Sequence, residues 1–529
     1  MGAVLVEGID EAVEITQSCE LMRLTPIITV CCLAAFAVRG VAQETGGNKG
    51  ASRSLTLQEC IKTALEHNLD IKIERYRPEL AKLTLDGSYG AYDPSFRTDV
   101  RQNFASSESG FNISTFNPPS NETWRETYSM GLGGEVPWSG LDYSLTSSLN
   151  RSSSKTSFGN PPVFNDSPFD YSSSVGINLS QPLLKNFRID GARLQIALNK
   201  KDLKTSEQIF RRQLMNTVSD VQIAYYDLVA AIEAVKVQDK SLQLAKQLLA
   251  ENKKRVEVGQ MAKLDEEQAK SEVAAREADL ISAQNQVSLQ ENQLKKLLSE
   301  DFTEWKDLAL LPTETLSELP EAFSRLDSWQ KGLSMRPDLL QSKVELEKQD
   351  IILKYSKNQL YPQLDLVGSY GYLGRDQHLV PSLGDIGDRR NPNFSYGVIL
   401  TLPLGNRAAK NNNRSNKALK EQMLLQYKRL EQDIMVQIDD SIKQAQTSHR
   451  RIEATKQARE FAETALDAEK KKLASGKSTN FQVLQSQRDL TQRLSEELRA
   501  LTDYSKALAR LALSEGSTLD RNGVNVDIR

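Results

Sequence analysis

Histidine and cysteine, which most often bind metals or act as nucleophiles, are scarce in this chain of 529 residues. Its three histidines, His67, His378 and His449, lie far apart in sequence and match no metal-ligand spacing. Basic and acidic residues nearly balance, at 67 and 70, so no excess of either sign indicates nucleic acid. We therefore expect no catalytic residue, no metal, no cofactor and no nucleic-acid partner.

The one apolar run near the N-terminus, residues 24–38, is too short to remain in a bilayer as a spanning helix. It follows Met22 and a positive residue, and the small residues Gly40-Val41-Ala42 come after it. This order is typical of a secretory signal peptide. We predict a signal region over residues 1–42 with cleavage near Gln43. The stretch before Met22 is acidic, the wrong charge for a leader, so Met22 is the expected start.

Two of the four cysteines, Cys31 and Cys32, fall inside this apolar run. Removal of the signal region would leave Cys60 as the only thiol of the mature chain. One cysteine cannot form an intramolecular disulfide. The exported protein is therefore expected to obtain its stability without disulfides.

Glycine and proline are absent from two long stretches, about residues 192–258 and 407–475. Apolar residues in the first stretch keep the three-and-four spacing of a helix face, as at Val221, Ala224 and Leu228. A helix of about 67 residues would extend about 100 Å. The sequence therefore predicts two very long helices of coiled-coil type. A cytosolic coiled-coil scaffold would explain these helices, but nothing else in the chain.

The whole architecture is duplicated. The corresponding segments are 64–71 with 332–339, 176–183 with 397–404, and 255–259 with 472–476. We predict a first structural repeat over 43–311, with strands about 94–182 and a helical hairpin about 192–300. A second repeat is predicted over 312–513, with strands about 362–404 and a hairpin about 407–513. Residues 514–529 are predicted to be a C-terminal tail.

Between the helices, apolar and polar residues alternate. Phe169, Tyr171, Val175 and Ile177 alternate with serine, glycine and asparagine, and residues 96–104, 364–372 and 394–404 follow the same pattern. Such alternation, with aromatic residues near the strand ends, is typical of strands that face lipid on one side and a polar lumen on the other. A soluble sandwich would alternate in the same way. Combined with the export signal, the alternation favours an outer-membrane β-barrel, because only helices or closed sheets satisfy backbone groups in lipid.

The connections predict the orientation of these strands. Residues 105–123, 152–168 and 373–393 are rich in Ser, Gly, Asn and Pro and are expected to be long external loops, whereas 137–140 is a short periplasmic turn. Proline interrupts regular structure, since it lacks an N–H donor. Four prolines are therefore expected at barrel–helix junctions: Pro94, Pro182, Pro362 and Pro403.

With these features together, the chain resembles the TolC-like outer-membrane efflux protein family over about residues 55–513. The likeness depends on the duplication, on Gly-x-x-Leu-(Ser/Thr)-x-Pro-Leu at 176–183 and 397–404, and on the helix tips at 255–265 and 472–482. It implies a membrane α+β fold: a trimeric outer-membrane β-barrel continued by a long periplasmic α-helical barrel. It also implies a channel rather than an enzyme.

The function implied by this resemblance is an exit duct of a tripartite efflux or type I secretion system. A homotrimer in outer-membrane lipid would passively pass substrates from an inner-membrane pump, with a periplasmic adaptor protein between them. The adaptor would dock at the turns Val258-Gly259 and Ser475-Gly476. Asp265 matches the acidic residue that helps to close the aperture.

This sequence departs from the family pattern in two respects. The second tip has Gln482 and Gln485 where the family usually has acidic residues, so an acidic pore constriction would come from Asp265 and Glu266. The first half also contains an extra strand pair, about 126–136 and 141–150, which leaves four or six barrel strands per protomer open.

Two other interpretations match parts of the sequence. Ser475-Gly476-Lys477-Ser478 is similar to part of a phosphate-binding loop, but Lys471 occupies the position of its first glycine. An exported coiled-coil tether or scaffold of the envelope, without channel activity, is the alternative function. The cargo, whether drugs, metal ions or proteins, stays open, because the pump selects it.

Overall fold

The computed structural model describes residues 52–108, 120–158, 163–316 and 320–524. The predicted signal region, its cleavage point and Cys31 and Cys32 lie outside these residues. A short 3₁₀ turn, Tyr89–Tyr92, precedes the first long strand. In chain order the elements are β1 (Ser52–Leu55), α1 (Leu57–His67), α2 (Leu69–Ser88), β2 (Ser95–Glu108), β3 (Ser120–Val136), β4 (Leu141–Phe158), β5 (Val163–Pro182), α3 (Gly191–Glu257), α4 (Lys263–Leu298), α5 (Phe302–Trp305), β6 (Ala309–Pro312), α6 (Arg325–Met335), α7 (Pro337–Asn358), β7 (Gln363–Asp376), α8 (Leu379–Gly387), β8 (Pro392–Thr401), α9 (Arg407–Ala474), α10 (Asn480–Glu515) and α11 (Thr518–Arg521).

The two longest helices, α3 and α9, have 67 and 68 residues, and each turns into a helix of 36 residues. Helix α3 packs along both α4 and α10, and α10 also packs along α9. The apolar spacing of α3 explains this arrangement, since Val221 and Leu228 are fully buried. Within the described residues, no helix combines the length and the apolar character needed to cross a bilayer.

A buried core joins β1 and α1 to the ends of both repeats. Strand β1 pairs in parallel with β6, and Cys60 of α1 lies fully buried beside them. Burial raises the pKa of the Cys60 thiol to about 12. The described part of the predicted tail packs against this core: α10 continues to Glu515, and Leu519 of α11 is buried. The sequence did not predict the β1–β6 pair.

The six long strands form one antiparallel sheet in the order β2-β3-β4-β5-β7-β8. The extra strand pair of the first repeat becomes β3 and β4, inside the sheet. The sheet of one chain thus has six strands. Pro94 and Pro362 directly precede β2 and β7, Pro182 ends β5, and Pro403 follows β8 by two residues.

The predicted loops were wrong in extent. Most of 152–168 is strand, because β4 continues to Phe158 and β5 begins at Val163. Strand β2 likewise enters the expected loop 105–123, and 373–393 contains α8. These strand ends are rich in Ser, Thr and Asn, so they lack apolar alternation. Ladder hydrogen bonds join backbone groups and do not require it.

The strand register gives the sheet two different faces. One face presents exposed apolar side chains: Phe96, Val100, Phe104, Tyr128, Met130, Leu132, Leu145, Ile177, Leu179, Tyr370, Phe394, Tyr396, Val398 and Leu400. We call it the apolar face. The opposite face is lined by small polar residues, with Ser148 bonded to Ser174 and Ser369 to Ser395 across strands, each at 2.8 Å. An open cavity of about 600 Å³ lies on this face beside Asp142, Ser144 and Asn178.

Candidate functional site at the helix tips

The two helical hairpins end in turns of the same geometry. At the first, Gly259 has a φ of 75°, and the Gln260 N–H donates to the Arg255 carbonyl at 2.8 Å. At the second, Gly476 has a φ of 74°, and the Lys477 N–H donates to the Lys472 carbonyl at 2.9 Å. This left-handed ending satisfies the last helix carbonyls, and glycine adopts it without steric strain.

Both turns are open on their outer side. A Cβ built on Gly259 or on Gly476 would have no neighbouring atom within 4 Å. Val258 is 67% exposed, and Ser475 is exposed in the equivalent position. Arg255, just before the first turn, donates to the carbonyl of Leu473, just before the second, at 3.4 Å. The predicted adaptor positions therefore lie together at the far ends of the hairpins.

The two predicted acidic residues of the first tip, Asp265 and Glu266, lie in the first turn of α4 and are half-buried. The Glu266 carboxylate lies 2.8 Å from the Lys270 ammonium. That hydrogen bond lowers the pKa of Glu266 and raises the pKa of Lys270. Asp265 forms no ion pair with any described residue. Of the two carboxylates, Asp265 is the one whose charge is not offset by a cation.

The second tip presents amides in place of acids. Gln482 and Gln485 are both exposed in the first turns of α10, and neither side-chain amide has a hydrogen-bond partner within the described part of the chain. The α10 N-terminus is capped by Thr479, whose hydroxyl accepts from the Gln482 N–H at 3.4 Å. The segment 475–478 joins two helices and does not follow a strand, unlike a phosphate-binding loop.

The sequence did not indicate a buried asparagine that joins the tips. Asn480 is 1% exposed, and its carbonyl oxygen accepts from the Asn252 amide of α3 at 2.9 Å. Its own amide donates to the backbone carbonyl of Asp265 at 3.3 Å. Asn480 thus connects α3, α4 and α10 directly behind the acidic turn. In the repeat register its position corresponds to Lys263, which offered no sequence signal for this role.

A second missed contact lies farther along the hairpins. Glu272 of α4 is 5% exposed on its side chain and accepts hydrogen bonds from Arg276 on its own helix and from Arg488 on α10. The spacing of Glu272 and Arg276 indicates a helical i,i+4 pair in the sequence. Arg488 is 216 residues from Glu272, and nothing local predicts their contact. No group of three His, Cys, Asp or Glu side chains able to hold a metal occurs among the described residues.

Comparison with known proteins decides the family. The sequence matches the profile of the outer membrane efflux protein family over residues 140–300 and 329–517, which include both tips and all four helices of the two hairpins. The chain belongs to the outer membrane efflux protein family. The resemblance predicted from the duplication and the tips is confirmed. Membership places the protein in the outer membrane with its helices in the periplasm.

One relative is the outer membrane efflux protein BepC of Brucella suis, which is 22% identical over 321 residues. The match covers 60% of this chain and 66% of BepC, just under two thirds of that relative's length. The fold is similar to that of CusC, with a TM-score of 0.63, 15% identity and coverage of 90% of this chain and 95% of CusC. The fold is also similar to that of VceC of Vibrio cholerae, with a TM-score of 0.61, 16% identity and coverage of 87% of this chain and 96% of VceC. The outer membrane efflux protein family is a family of channels, and CusC is described as forming a transmembrane channel.

Proposed function

We propose that this chain is one subunit of a homotrimeric channel, the exit duct of a tripartite efflux or type I secretion system. Substrates would pass passively from an inner-membrane pump, through a periplasmic adaptor, to the exterior. The observation that carries the proposal is a sheet with one apolar and one polar face, joined by short connections to helices of about 100 Å. Such a chain can line both a membrane pore and a periplasmic tunnel.

The sheet supports a closed assembly of several copies. In one protomer, β2 and β8 are the edge strands of the six-stranded sheet. Unpaired strand edges are not tolerated in lipid, because their N–H and C=O groups would lack partners. If β8 of each copy pairs with β2 of the next, three copies close a barrel of about eighteen strands. This number exceeds the twelve that four strands per protomer would give.

The helices support the same ring. Helix α7 packs against both long helices, α3 and α9. Its counterpart in the first repeat, α2, packs along α3 but not along α9. Helix α2 leaves Ile73, Tyr76, Leu80 and Leu83 60–66% exposed at three-and-four spacing. Since α2 corresponds to α7 in the internal repeat, α2 should also have a second long helix beside it, and that helix would be an α9. A neighbouring copy would supply that helix and bury the stripe.

The polar face and the tips support a passive duct. Serine, asparagine and glycine line the inner side of the sheet together with charged residues of β2 such as Arg97, Asp99 and Arg101, and such a polar lining solvates many solutes. At the other end, Asp265 and Glu266 would form the pore constriction together with Gln482 and Gln485. The exposed turns at Val258-Gly259 and Ser475-Gly476 would dock the adaptor, since they lie outside the constriction at the hairpin ends.

Native mass spectrometry and planar-bilayer recording on the same purified protein test the proposal. We expect a trimer that conducts. Leu80→Lys should reduce the trimer fraction, because it places a charge in the exposed stripe of α2, whereas the matched control Lys82→Glu should not. A conducting monomer would contradict the shared barrel. A trimer without conductance would favour the alternative, an envelope tether.

A further inference from the structure

Helix α8 lies in the connection between β7 and β8 and folds back onto the sheet. Its Ser382 is fully buried, and the Ser382 Oγ lies 2.9 Å from the Oγ of Ser173 on β5. The Ser173 hydroxyl donates to the Ser382 carbonyl at 2.7 Å. Ser173 is itself only 3% exposed. The two serines therefore hold α8 against the sheet through a buried polar contact.

Gly374 of β7 makes this close approach possible. A Cβ on Gly374 would lie 1.9 Å from the Ser382 carbonyl oxygen and 2.7 Å from the Ser173 Oγ. No real Cβ atom tolerates a backbone atom at the shorter distance, so any other residue would displace α8. Gly368, on the same strand, is different: its Cβ would meet its nearest neighbour, the Ser395 carbonyl oxygen, at 3.9 Å, an ordinary contact.

The register shows on which face α8 lies. Ser173 and Gly374 are direct partners across β5 and β7, so their side-chain positions share one face of the sheet. Two and four residues farther along β5, Val175 and Ile177 lie on that face, which is the apolar face. Helix α8 therefore covers part of the apolar face, not the polar inner face. It lies at the end of β7 farthest from α7 and the periplasmic helices.

The outer side of α8 continues the apolar face instead of ending it. Leu379, Val380 and Leu383 are 38%, 77% and 47% exposed. Directly after the helix, the chain becomes charged at Asp388, Arg389 and Arg390, and Arg390 pairs with Asp388 at 3.0 Å. A short helix with apolar residues outward and a charged end is typical of an element at a membrane interface.

We propose that α8 inserts into the outer leaflet of the outer membrane, with lipid acyl chains packed on Leu379, Val380 and Leu383. The proposal rests on the proposed barrel, whose apolar face would contact the same lipid. The buried contact of α8 with Ser173 and Gly374 would then hold the barrel at a fixed depth in the bilayer. The partner is a lipid surface, since the exposed residues of α8 are continuous with the surface that lipid would cover.

Nitroxide labels on introduced cysteines test this placement in the complete mature protein, without the signal region, reconstituted in phosphatidylethanolamine–phosphatidylglycerol vesicles. Labels at Val380, at Val398 on the apolar face, and at Val258 on the periplasmic turn are compared by collision with oxygen and with a water-soluble nickel chelate. The buried Cys60 thiol should label poorly, because its pKa is raised to about 12, and unsubstituted protein measures the background.

We expect the oxygen-to-nickel accessibility ratio at 380 to equal that at 398 and to exceed that at 258 several-fold. A ratio at 380 like that at 258, with 398 still lipid-like, would overturn the proposal and leave the barrel intact. Water-like ratios at both 380 and 398 would overturn the barrel and the inference with it.

A second measurement tests the seat of α8. Gly374→Ala should lower the ratio at 380 several-fold, whereas Gly368→Ala should leave it unchanged. An unchanged ratio in folded Gly374→Ala would show that Gly374 does not seat α8. If Gly374→Ala does not fold, the labels in the otherwise unaltered protein still decide the placement.

Discussion

The carboxylate of Glu272 on α4 accepts from the guanidinium of Arg488 on α10, with both carboxylate oxygens 3.2 Å from the Arg488 Nε. The pair joins the first repeat to the second about two and a half turns from the tip of α4. Arg276, on the same helix as Glu272, holds the carboxylate from the other side at 2.7 Å. The buried carboxylate is therefore bound by two cations, of which only Arg488 connects the helices.

We expect Glu272→Gln and Arg488→Gln to loosen the α4–α10 contact and to raise the open probability of the reconstituted channel. Arg276→Gln is the matched control, because it removes a cation from Glu272 but keeps the link between helices. The double variant Glu272→Gln with Arg488→Gln should be no more open than either single variant, since both remove one contact. Additive effects in bilayer recordings would show that the two residues act separately.

The same contact predicts a dependence on pH. Burial acts to raise the pKa of Glu272, but hydrogen bonds from Arg488 and Arg276 outweigh it, so the pKa is lowered overall. Because the pKa is lowered, the contact stabilises the folded protein fully when the pH lies above the unfolded pKa of about 4.3. This stabilisation is lost as the pH falls through the pKa of the folded protein. Conductance recorded as the pH is lowered from 7 should show opening only below the unfolded value of about 4.3. Glu272→Gln should lack this step, and Glu277→Gln, at an exposed position of α4, should retain it.

The tips predict unequal contributions to ion selectivity. Asp265→Asn should reduce cation selectivity and block by trivalent cations more than Glu266→Gln does, because Lys270 already offsets the Glu266 charge. Gln482→Ala and Gln485→Ala should change neither property, since they remove no charge. Reversal potentials in a salt gradient measure these effects. Unchanged selectivity in the Asp265→Asn, Glu266→Gln double variant would place the constriction elsewhere.

Asn480→Ala should destabilise the tips. The change removes the acceptor of the Asn252 amide, which is 1% exposed, and the donor to the Asp265 carbonyl. A buried polar group left without a partner costs about 1–3 kcal/mol. We expect a lower thermal dissociation temperature of the detergent-solubilised protein and faster proteolysis at the tips. Gln485→Ala, at an exposed position on the same helix, is the control, and equal behaviour of the two would refute the role of Asn480.

Replacing a turn glycine by alanine should strain the backbone without disturbing the packing of neighbouring side chains. Gly476→Ala would force an alanine into a left-handed conformation at a cost of about 1 kcal/mol, although its Cβ would meet open space. Gly191→Ala, also in open space but at the start of α3, should be neutral or stabilising. Hydrogen exchange of the turn amides compares the two variants. Equal protection in both would show that the turn is not strained by the substitution.

Local patterns in the sequence determined much of this protein. The absence of proline and glycine from 192–258 and 407–475, with apolar residues on one face, was sufficient to predict α3 and α9. These features depend on residues three or four positions apart, which any helix brings together. The duplication and the paired turns at Gly259 and Gly476 then indicated the family. The predicted pore acids and docking turns stay predictions, although they do lie together at the hairpin ends.

Only the tertiary structure decided the features that depend on distant parts of the chain. Strand pairing placed β3 and β4 inside the sheet and extended β4 into the polar stretch 152–158, because backbone ladders need no apolar side chains. Asn252 meets Asn480, and Glu272 meets Arg488, across 228 and 216 residues. Such contacts follow from how α3 and α4 lie beside α10. Two polar residues so far apart in sequence form a buried contact only where packed helices bring them together. The local periodicity of the sequence does not indicate which residues will meet in this way.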